Sequence, residues 1–218
     1  LISQPLDQLD AQYGRYRLGD GARLKPIYDE GSVGVHLVNW LPAVDKKDAE
    51  QWLTLSRRPD HLAIARKLLN SEFAEHIICQ AHFKHPQGPS VKFPAHRDET
   101  ARQRYGYDND AVEESGGIGY VALITAVENH TEQNGAIWVC KGSHRLSSAE
   151  TWHQFIELQA GQTLVMHPKL LHGSEKNTTD FRRGTVVNGF ILPSANTGKY
   201  PGDGAGVRFS LETGKNVL

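Results

Sequence analysis

Two histidines and one aspartate are the side chains of this sequence best suited to hold a metal ion together. His96 and Asp98 are two positions apart, so both leave the same face if that segment is extended. His172 stands between a strand-like run and a Gly-Ser turn. Two imidazoles and one carboxylate form a facial ligand set that suits non-haem Fe(II) and leaves neighbouring coordination positions open. These three residues are therefore candidate ligands of one catalytic Fe(II) ion.

Open positions on such an ion suit a keto acid, which chelates through two oxygens, and O₂. A keto acid with a second carboxylate, such as 2-oxoglutarate, also needs a cation at its far end. Arginine fits because its planar fork binds a carboxylate through two parallel hydrogen bonds. Arg182 and Arg183 follow His172 across a predicted turn. Only one of them can point inward from an extended segment, and at this point both remain candidates.

The segment from Asp98 to Gly119 is rich first in arginine, then in acidic residues and then in glycine, without clear periodicity. We predict a long loop beside the metal, and such loops often act as lids; the alternative is a disordered surface loop. Arg97, Arg102 and Arg104 would give the substrate pocket a positive lining. That lining favours a small organic substrate with a carboxylate, such as an amino acid or an N-acyl amino acid.

The elements that must position these residues run from helices to strands. Residues 33–40 read as a strand, Asp45 as the N-cap of a helix, and Pro59 as the start of a second helix. The apolar face of the second helix comprises Leu62, Ala65, Leu68, Leu69 and Phe73. Short strands separated by turn residues are predicted at 76–84, 118–127, 136–140, 155–158, 162–167 and 185–192.

Helices followed by many short strands predict a mainly β fold, a sandwich or barrel with helices packed on one side. The 218 residues fit one domain, with helical support at about 43–75 and a β core at about 76–195. A net charge of −1 provides no concentrated basic face, so no nucleic-acid partner is expected.

No apolar run reaches the roughly 18 residues of a membrane-spanning helix, so no membrane association is expected. Cys79 and Cys140 lie in apolar runs and are expected to be buried and reduced. We therefore expect a cytoplasmic enzyme that acts on a small molecule. The oligomeric state is left open.

Other histidines are interpreted as structural rather than as ligands. His82 and His85 stand at a strand end, where a solvated position is favoured over the mouth of a barrel. His144 lies in a Gly-Ser-His turn, and His167 precedes His172 by five positions. Both are expected to stabilise local structure.

Four motifs, in the same order, resemble those of the phytanoyl-CoA dioxygenase family of Fe(II)/2-oxoglutarate-dependent oxygenases. They span roughly residues 77–192. The motifs are His96-Arg97-Asp98-Glu99, the run from Asn134-Gly135 to Gly142-Ser143-His144, the strand Gly161–His167, and His172-Gly173-Ser174 followed by Asn177, Thr179 and an arginine.

This resemblance implies a double-stranded β-helix, the cupin-like jelly roll, with His96, Asp98 and His172 as iron ligands. The family's co-substrate arginine usually lies 11 positions after the distal histidine, which selects Arg183. Ser174 would bind the same carboxylate. The implied reaction converts 2-oxoglutarate and O₂ to succinate and CO₂ and hydroxylates an unactivated C–H bond. Related halogenases carry a small residue at the position of Asp98, so hydroxylation is favoured.

Two departures from the family pattern do not touch a ligand. Arg97 replaces a frequent glutamine, and Lys141 replaces a proline. Two other functions stay open. One is a cupin-like metalloenzyme that does not use 2-oxoglutarate, and the other is a catalytically silent β-barrel that only binds its ligand.

Overall fold

The computed structural model describes residues 54, 56–84, 86, 92–104, 106–145, 152–197 and 207–217, together with the backbone of 35–39. The predicted helix that begins at Asp45 lies outside these residues. The described helices are α1 (Pro59–Leu69), α2 (Asp98–Gln103) and α3 (Asn109–Ser115), with a short 3₁₀ turn at Pro193–Ala195. In this part of the chain no helix is long and apolar enough to cross a membrane.

Within the described residues, ten strands form two antiparallel sheets. The strands are β1 (Val35–Asn39), β2 (Phe73–Lys84), β3 (Phe93–His96), β4 (Tyr120–Ala126), β5 (Ile137–Val139), β6 (Gln154–Ile156), β7 (Thr163–Met166), β8 (His172–Ser174), β9 (Arg183–Ile191) and β10 (Val207–Ser210). The larger sheet has the order β1-β2-β9-β4-β7, with β10 also paired to β2, and the smaller has the order β3-β8-β5-β6.

Strand β4 of the larger sheet is buried on both faces. All seven of its residues are buried. Side chains alternate along a strand. Tyr120, Ala122 and Ile124 therefore face one side of the sheet and belong to the core cluster on the side of the predicted metal site. Val121 and Leu123 belong to a second cluster on the opposite face. A near-continuous apolar run is typical of a strand covered on both sides.

Helix α1 covers that opposite face. Leu62, Ala65 and Leu69 are buried and belong to the same cluster as Phe190 and Phe209. Proline at its start and a left-handed Asn70 (φ 48°) after its end set its limits. This helix is confirmed.

The predicted continuation of the apolar face of α1 to Phe73 is wrong. Phe73 opens β2 and is 42% exposed. The helix ends at Asn70, so Phe73 no longer follows its periodicity.

Within the described residues the predicted strands are confirmed, and their bounds differ from the prediction by at most three residues. The sequence did not reveal β3, β8 and β10, which have only three or four residues each. The predicted long loop from Asp98 to Gly119 contains α2 and α3 instead. Asp108 caps α3 by accepting a 3.1 Å hydrogen bond from the Ala111 amide, and each helix is too short to show periodicity.

Cys79 and Cys140 are buried and form no disulfide, as predicted. The division of the chain into a helical support and a β core within one domain stays a prediction.

Candidate metal centre

His96, Asp98 and His172 come together at one end of the smaller sheet. Strand β3 pairs with β8 so that His96 lies opposite His172, and their ring centroids are 4.2 Å apart. The carboxylate Oδ1 of Asp98 is 3.8 Å from Nε2 of His96. One ligand atom from each residue lies within 4.8 Å of the others, so the three could hold one metal ion.

The structure corrects how the aspartate reaches the site. The sequence suggested one extended segment from His96 to Asp98, but β3 ends at His96 and Asp98 is the first residue of α2. The amide of Glu99 donates a 3.1 Å hydrogen bond to the carbonyl of Pro168. This bond ties α2 to the connection that leads into β8, and it keeps the carboxylate beside His172.

Both histidines present the same ring nitrogen to the site. The Nδ1 atoms of His96 and His172 each lie 2.9 Å from a backbone carbonyl, of Pro94 and Leu170 respectively. A carbonyl only accepts, so each Nδ1 carries the hydrogen and each Nε2 keeps a lone pair for a metal. Burial also lowers the pKa of His172, which favours the neutral form that binds metals.

The motifs around the site hold β8 in place. The hydroxyl of Ser143, in the Gly-Ser-His turn, accepts a 2.9 Å hydrogen bond from the Leu171 amide. The Cys140 amide donates at 2.9 Å to the Leu171 carbonyl. A Cβ on Gly173 would lie 2.4 Å from the ring of Trp138, its partner on β5, so only glycine fits at this position of β8.

Arg182 and Arg183 point to opposite sides of β9. Arg182 forms a 2.6 Å ion pair with Glu128. Arg183 is 2% exposed and donates a 3.0 Å hydrogen bond from Nη1 to the hydroxyl of Thr185. Burial lowers the pKa of Arg183 to about 10, so it remains charged near neutral pH.

Arg183 and the three metal-type residues line one cavity of about 230 Å³. The Nε atom of Arg183 is buried and has no hydrogen-bond partner within the described residues. A buried cation with an unused donor indicates a missing acceptor, and the distal carboxylate of 2-oxoglutarate is of the right chemistry. The apolar part of the wall comprises Ile78, Ala122, Ile124, Ile137, Met166 and Val187.

Lys84 is a residue beside this pocket that the sequence analysis missed. It is fully buried, and its Nζ donates a 2.7 Å hydrogen bond to the hydroxyl of Ser174 and another to the carbonyl of Glu175. Burial and the nearby Arg183 charge lower the pKa of Lys84 to about 6. The alternation of Gln80, His82 and Lys84 along β2 was the signal for a polar cavity wall.

His82 also lines the cavity, so the preference for a solvated strand end is wrong for this residue. Its ring stacks on Phe93 with centroids 5.6 Å apart, and its Nε2 lies 3.2 Å from the side-chain oxygen of Gln80. His85 lies outside the described residues.

Of the three arginines predicted to line a substrate pocket, only Arg102 does so. It is buried, and its Nη2 donates a 3.1 Å hydrogen bond to the hydroxyl of Tyr120. Arg97 donates instead to the carbonyls of Ser143 and Lys169. Arg104 is exposed after the end of α2 and is absent from the cavity wall. The three arginines lie before, within and after helix α2, so their side chains leave the backbone in different directions.

The sequence model of the phytanoyl-CoA dioxygenase (PhyH) family matches residues 4–185 of this chain. The chain belongs to the phytanoyl-CoA dioxygenase family. The predicted family membership is thus confirmed, and this family implies Fe(II), 2-oxoglutarate and O₂. The three metal-type residues and the buried Arg183 fit these groups.

One relative is the Fe(II)/2-oxoglutarate-dependent dioxygenase nvfF of Aspergillus novofumigatus (strain IBT 16806), which is 32% identical over 97 residues. The matched stretch covers 42% of this chain and 31% of that protein. The chain therefore aligns with only about a third of the length of this relative.

Two solved structures show the fold. SnoN, a non-haem alpha-ketoglutarate-dependent epimerase from nogalamycin biosynthesis, matches with a TM-score of 0.64 at 17% identity, over 88% of this chain and 74% of its own. AviO1 from Streptomyces viridochromogenes Tue57 matches with a TM-score of 0.64 at 20% identity, over 89% and 85%. The predicted fold class, a mainly β double-stranded β-helix with flanking helices, is confirmed, with two antiparallel sheets that do not close.

Proposed function

We propose that this chain hydroxylates an unactivated C–H bond of a small organic substrate, using Fe(II), 2-oxoglutarate and O₂ and releasing succinate and CO₂. In this proposal His96, Asp98 and His172 are the iron ligands, and Arg183 and Ser174 bind the distal carboxylate of 2-oxoglutarate. One observation carries it: the three ligand-type residues and the buried, inward-facing Arg183 line the same cavity.

The residues of the chain prepare the site in three ways. Hydrogen bonds from Nδ1 to backbone carbonyls orient His96 and His172 with Nε2 as the atom available to the metal, and Asp98 adds one negative charge. Arg183 supplies a fixed positive charge where little water screens it. The apolar wall of the cavity keeps water away from the reacting C–H bond. An Fe(II) ion held by His96, Asp98 and His172 would supply the activation of O₂, which oxidises both 2-oxoglutarate, with loss of CO₂, and the C–H bond.

Two residues favour this reaction over its alternatives. The carboxylate of Asp98 occupies the coordination position that a halogenase leaves open for chloride. A cupin-like metalloenzyme that does not use 2-oxoglutarate has no need of Arg183 at the far end of the cavity. A silent binding protein has no need of a complete facial ligand set.

The test is a substrate screen with the anaerobic protein, loaded with Fe(II) and 2-oxoglutarate, to which O₂ is then added. We expect succinate in proportion to a product that has gained one oxygen atom. A product of unchanged mass would indicate isomerisation instead. Turnover that proceeds equally without 2-oxoglutarate would support the cupin-like alternative.

The finer proposal concerns the substrate's charge and rests on Arg102. This buried cation and the Tyr120 hydroxyl lie on the cavity wall, at a distance from Arg183 set by the strand register. Tyr120 pairs with Ile191, eight positions along β9 from Arg183, so the two arginines belong to different ends of the cavity. A substrate carboxylate at Arg102 would therefore not compete with 2-oxoglutarate at Arg183.

Matched pairs of N-acetyl amino acids and their primary amides test this finer proposal. We expect the acids to stimulate succinate release more than the amides, and Arg102→Met to remove that preference. Arg104→Met is the matched control, because Arg104 is exposed and outside the cavity wall. Equal stimulation by acids and amides in the unmodified protein would contradict a carboxylate at Arg102.

A further inference from the structure

The connection between β4 and β5 holds the first residues of β9 from both sides. On the outer side, the Glu128 carboxylate accepts hydrogen bonds from the Arg182 guanidinium and from the Gly184 amide. On the inner side, the ring of His130 contacts Gly184 and Thr185. Arg183 lies between these two supports and faces the cavity.

His130 contacts β9 through one ring nitrogen. Its Nε2 lies 3.1 Å from the carbonyl oxygen of Gly184 and 3.3 Å from the hydroxyl oxygen of Thr185. The residue is 1% exposed. Burial and the charge of Arg183 lower the pKa of His130 to about 3, so the ring is neutral near neutral pH.

The tautomer of this neutral ring follows from its partners. The Gly184 carbonyl can only accept, so the hydrogen resides on Nε2. A hydrogen on Nδ1 would instead be buried without an acceptor, because Nδ1 has no hydrogen-bond partner in the part of the chain that the structure describes.

This tautomer fixes the direction of the Thr185 hydroxyl. Its oxygen accepts from Arg183 Nη1 at 3.0 Å and faces the Nε2–H of His130. Neither partner can accept a hydrogen bond, because the Arg183 guanidinium and the Nε2–H of the neutral His130 ring have no free lone pair. The hydroxyl hydrogen therefore points elsewhere, and Thr185 lines the cavity beside Arg183.

We propose that His130 is a positioning residue, which orients the Thr185 hydroxyl as a donor toward the distal carboxylate of 2-oxoglutarate and fixes the Arg183 guanidinium through that same hydroxyl. This inference rests on the proposed function, in which Arg183 binds that carboxylate. His130 itself does not touch the co-substrate; it acts through Thr185.

The test compares two keto acids on the metal-loaded protein. 2-Oxopentanoate has the same carbon chain as 2-oxoglutarate but a methyl group in place of the distal carboxylate. Binding of each is measured by calorimetry on the Mn(II) form, which requires no turnover. We expect His130→Leu to weaken 2-oxoglutarate binding about 3- to 10-fold, the range of one neutral hydrogen bond, and to leave 2-oxopentanoate binding unchanged.

Two further variants make the test specific. In His130→Gln the side-chain amide can donate to the Gly184 carbonyl, so we expect the affinity for 2-oxoglutarate to be largely restored. Thr185→Val removes the hydroxyl and keeps the shape, so adding His130→Leu to it should have little further effect. Additive losses would overturn the proposal, because His130 would then act by another route.

Failure of this inference can be distinguished from failure of the proposed function. If His130→Leu binds 2-oxoglutarate as the unmodified protein does, or weakens both keto acids equally, His130 is not a positioning residue for the distal carboxylate. If Arg183→Ala retains the preference for 2-oxoglutarate over 2-oxopentanoate, the anchor in the proposed function is itself wrong.

Discussion

The two ends of the cavity are built differently. The strand-built end comprises Arg183 and Thr185 on β9, which share a hydrogen bond. Behind it, outside the cavity wall, lies a second buried hydrogen-bonded pair, Lys84 on β2 and Ser174 on β8. The helix-built end comprises Arg102 on α2 and Tyr120 at the start of β4. The first end depends on paired strands, whereas the second depends on a six-residue helix in a connection.

Because the two ends are built differently, they tolerate changes of sequence to different degrees. A change at the strand-built end disturbs strand pairing and several buried polar groups at once, which is costly. Connections tolerate changes of sequence and length and often carry specificity. We therefore assign the common co-substrate to the strand-built end and the substrate of this particular chain to the helix-built end.

Arg183→Ala should give the largest effect and affect only the strand-built end. Loss of a charged hydrogen-bond donor costs about 1.5–3 kcal/mol, so the Kd for 2-oxoglutarate should rise roughly 10- to 100-fold. Arg182→Ala is the matched control, because Arg182 pairs with Glu128 on the other side of β9. If Arg182→Ala weakens binding and Arg183→Ala does not, the assignment of the two arginines is reversed.

Lowering the pH should destabilise the protein through His130, which supports the strand-built end. Its pKa is about 3 in the folded protein against 6.5 for an ordinary histidine. The unfolded chain therefore binds more protons between these values, and the free energy of unfolding falls as the pH drops through that window. Between about pH 7 and about pH 5 the loss is about 2 kcal/mol for one such histidine. Urea unfolding of His130→Gln should show a pH dependence smaller by this amount; an unchanged dependence would contradict the assignment.

Gly189→Ala should disturb the helix-built end alone. A Cβ at this position would lie 2.6 Å from the Tyr120 hydroxyl oxygen and 2.9 Å from Cβ of Ile78. The tyrosine borders the cavity and can shift, but Cβ of Ile78 is fixed to the paired strand β2. We therefore expect about 1–3 kcal/mol of destabilisation, the usual range of overpacking costs. Stimulation by substrate acids should fall while the Kd for 2-oxoglutarate is unchanged. Adding Tyr120→Phe, which removes the nearest atom, should recover part of the stability.

Arg104→Ala should have the smallest effect. The side chain is exposed and outside the cavity wall. Surface substitutions of this kind change the free energy of unfolding by less than about 0.5 kcal/mol. Activity and 2-oxoglutarate affinity should match the unmodified protein. A large loss of activity would place the substrate on the outer side of α2 and not at Arg102.

The sequence predicted the three metal-type residues, which the structure brings together, and the family spacing selected Arg183, which lines the same cavity. It could not show that Asp98 begins a helix, because that helix has only six residues. It also missed Lys84 and His130. Their partners lie 90 and 54 residues away along the chain, at Ser174 and Gly184, and only the strand register brings them together. Local patterns predict strands well, but they carry little information about which buried polar groups meet across them.

Metal binding tests the central claim most directly. Anaerobic titration of the unmodified protein with Fe(II) should show one tight site. His172→Ala should weaken it by more than about 100-fold, because loss of outer-shell partners alone costs roughly 10- to 100-fold. His167 lies outside the ligand group, so His167→Ala should bind Fe(II) with the affinity of the unmodified protein. Equal Fe(II) affinity of His172→Ala and the unmodified protein would contradict the account.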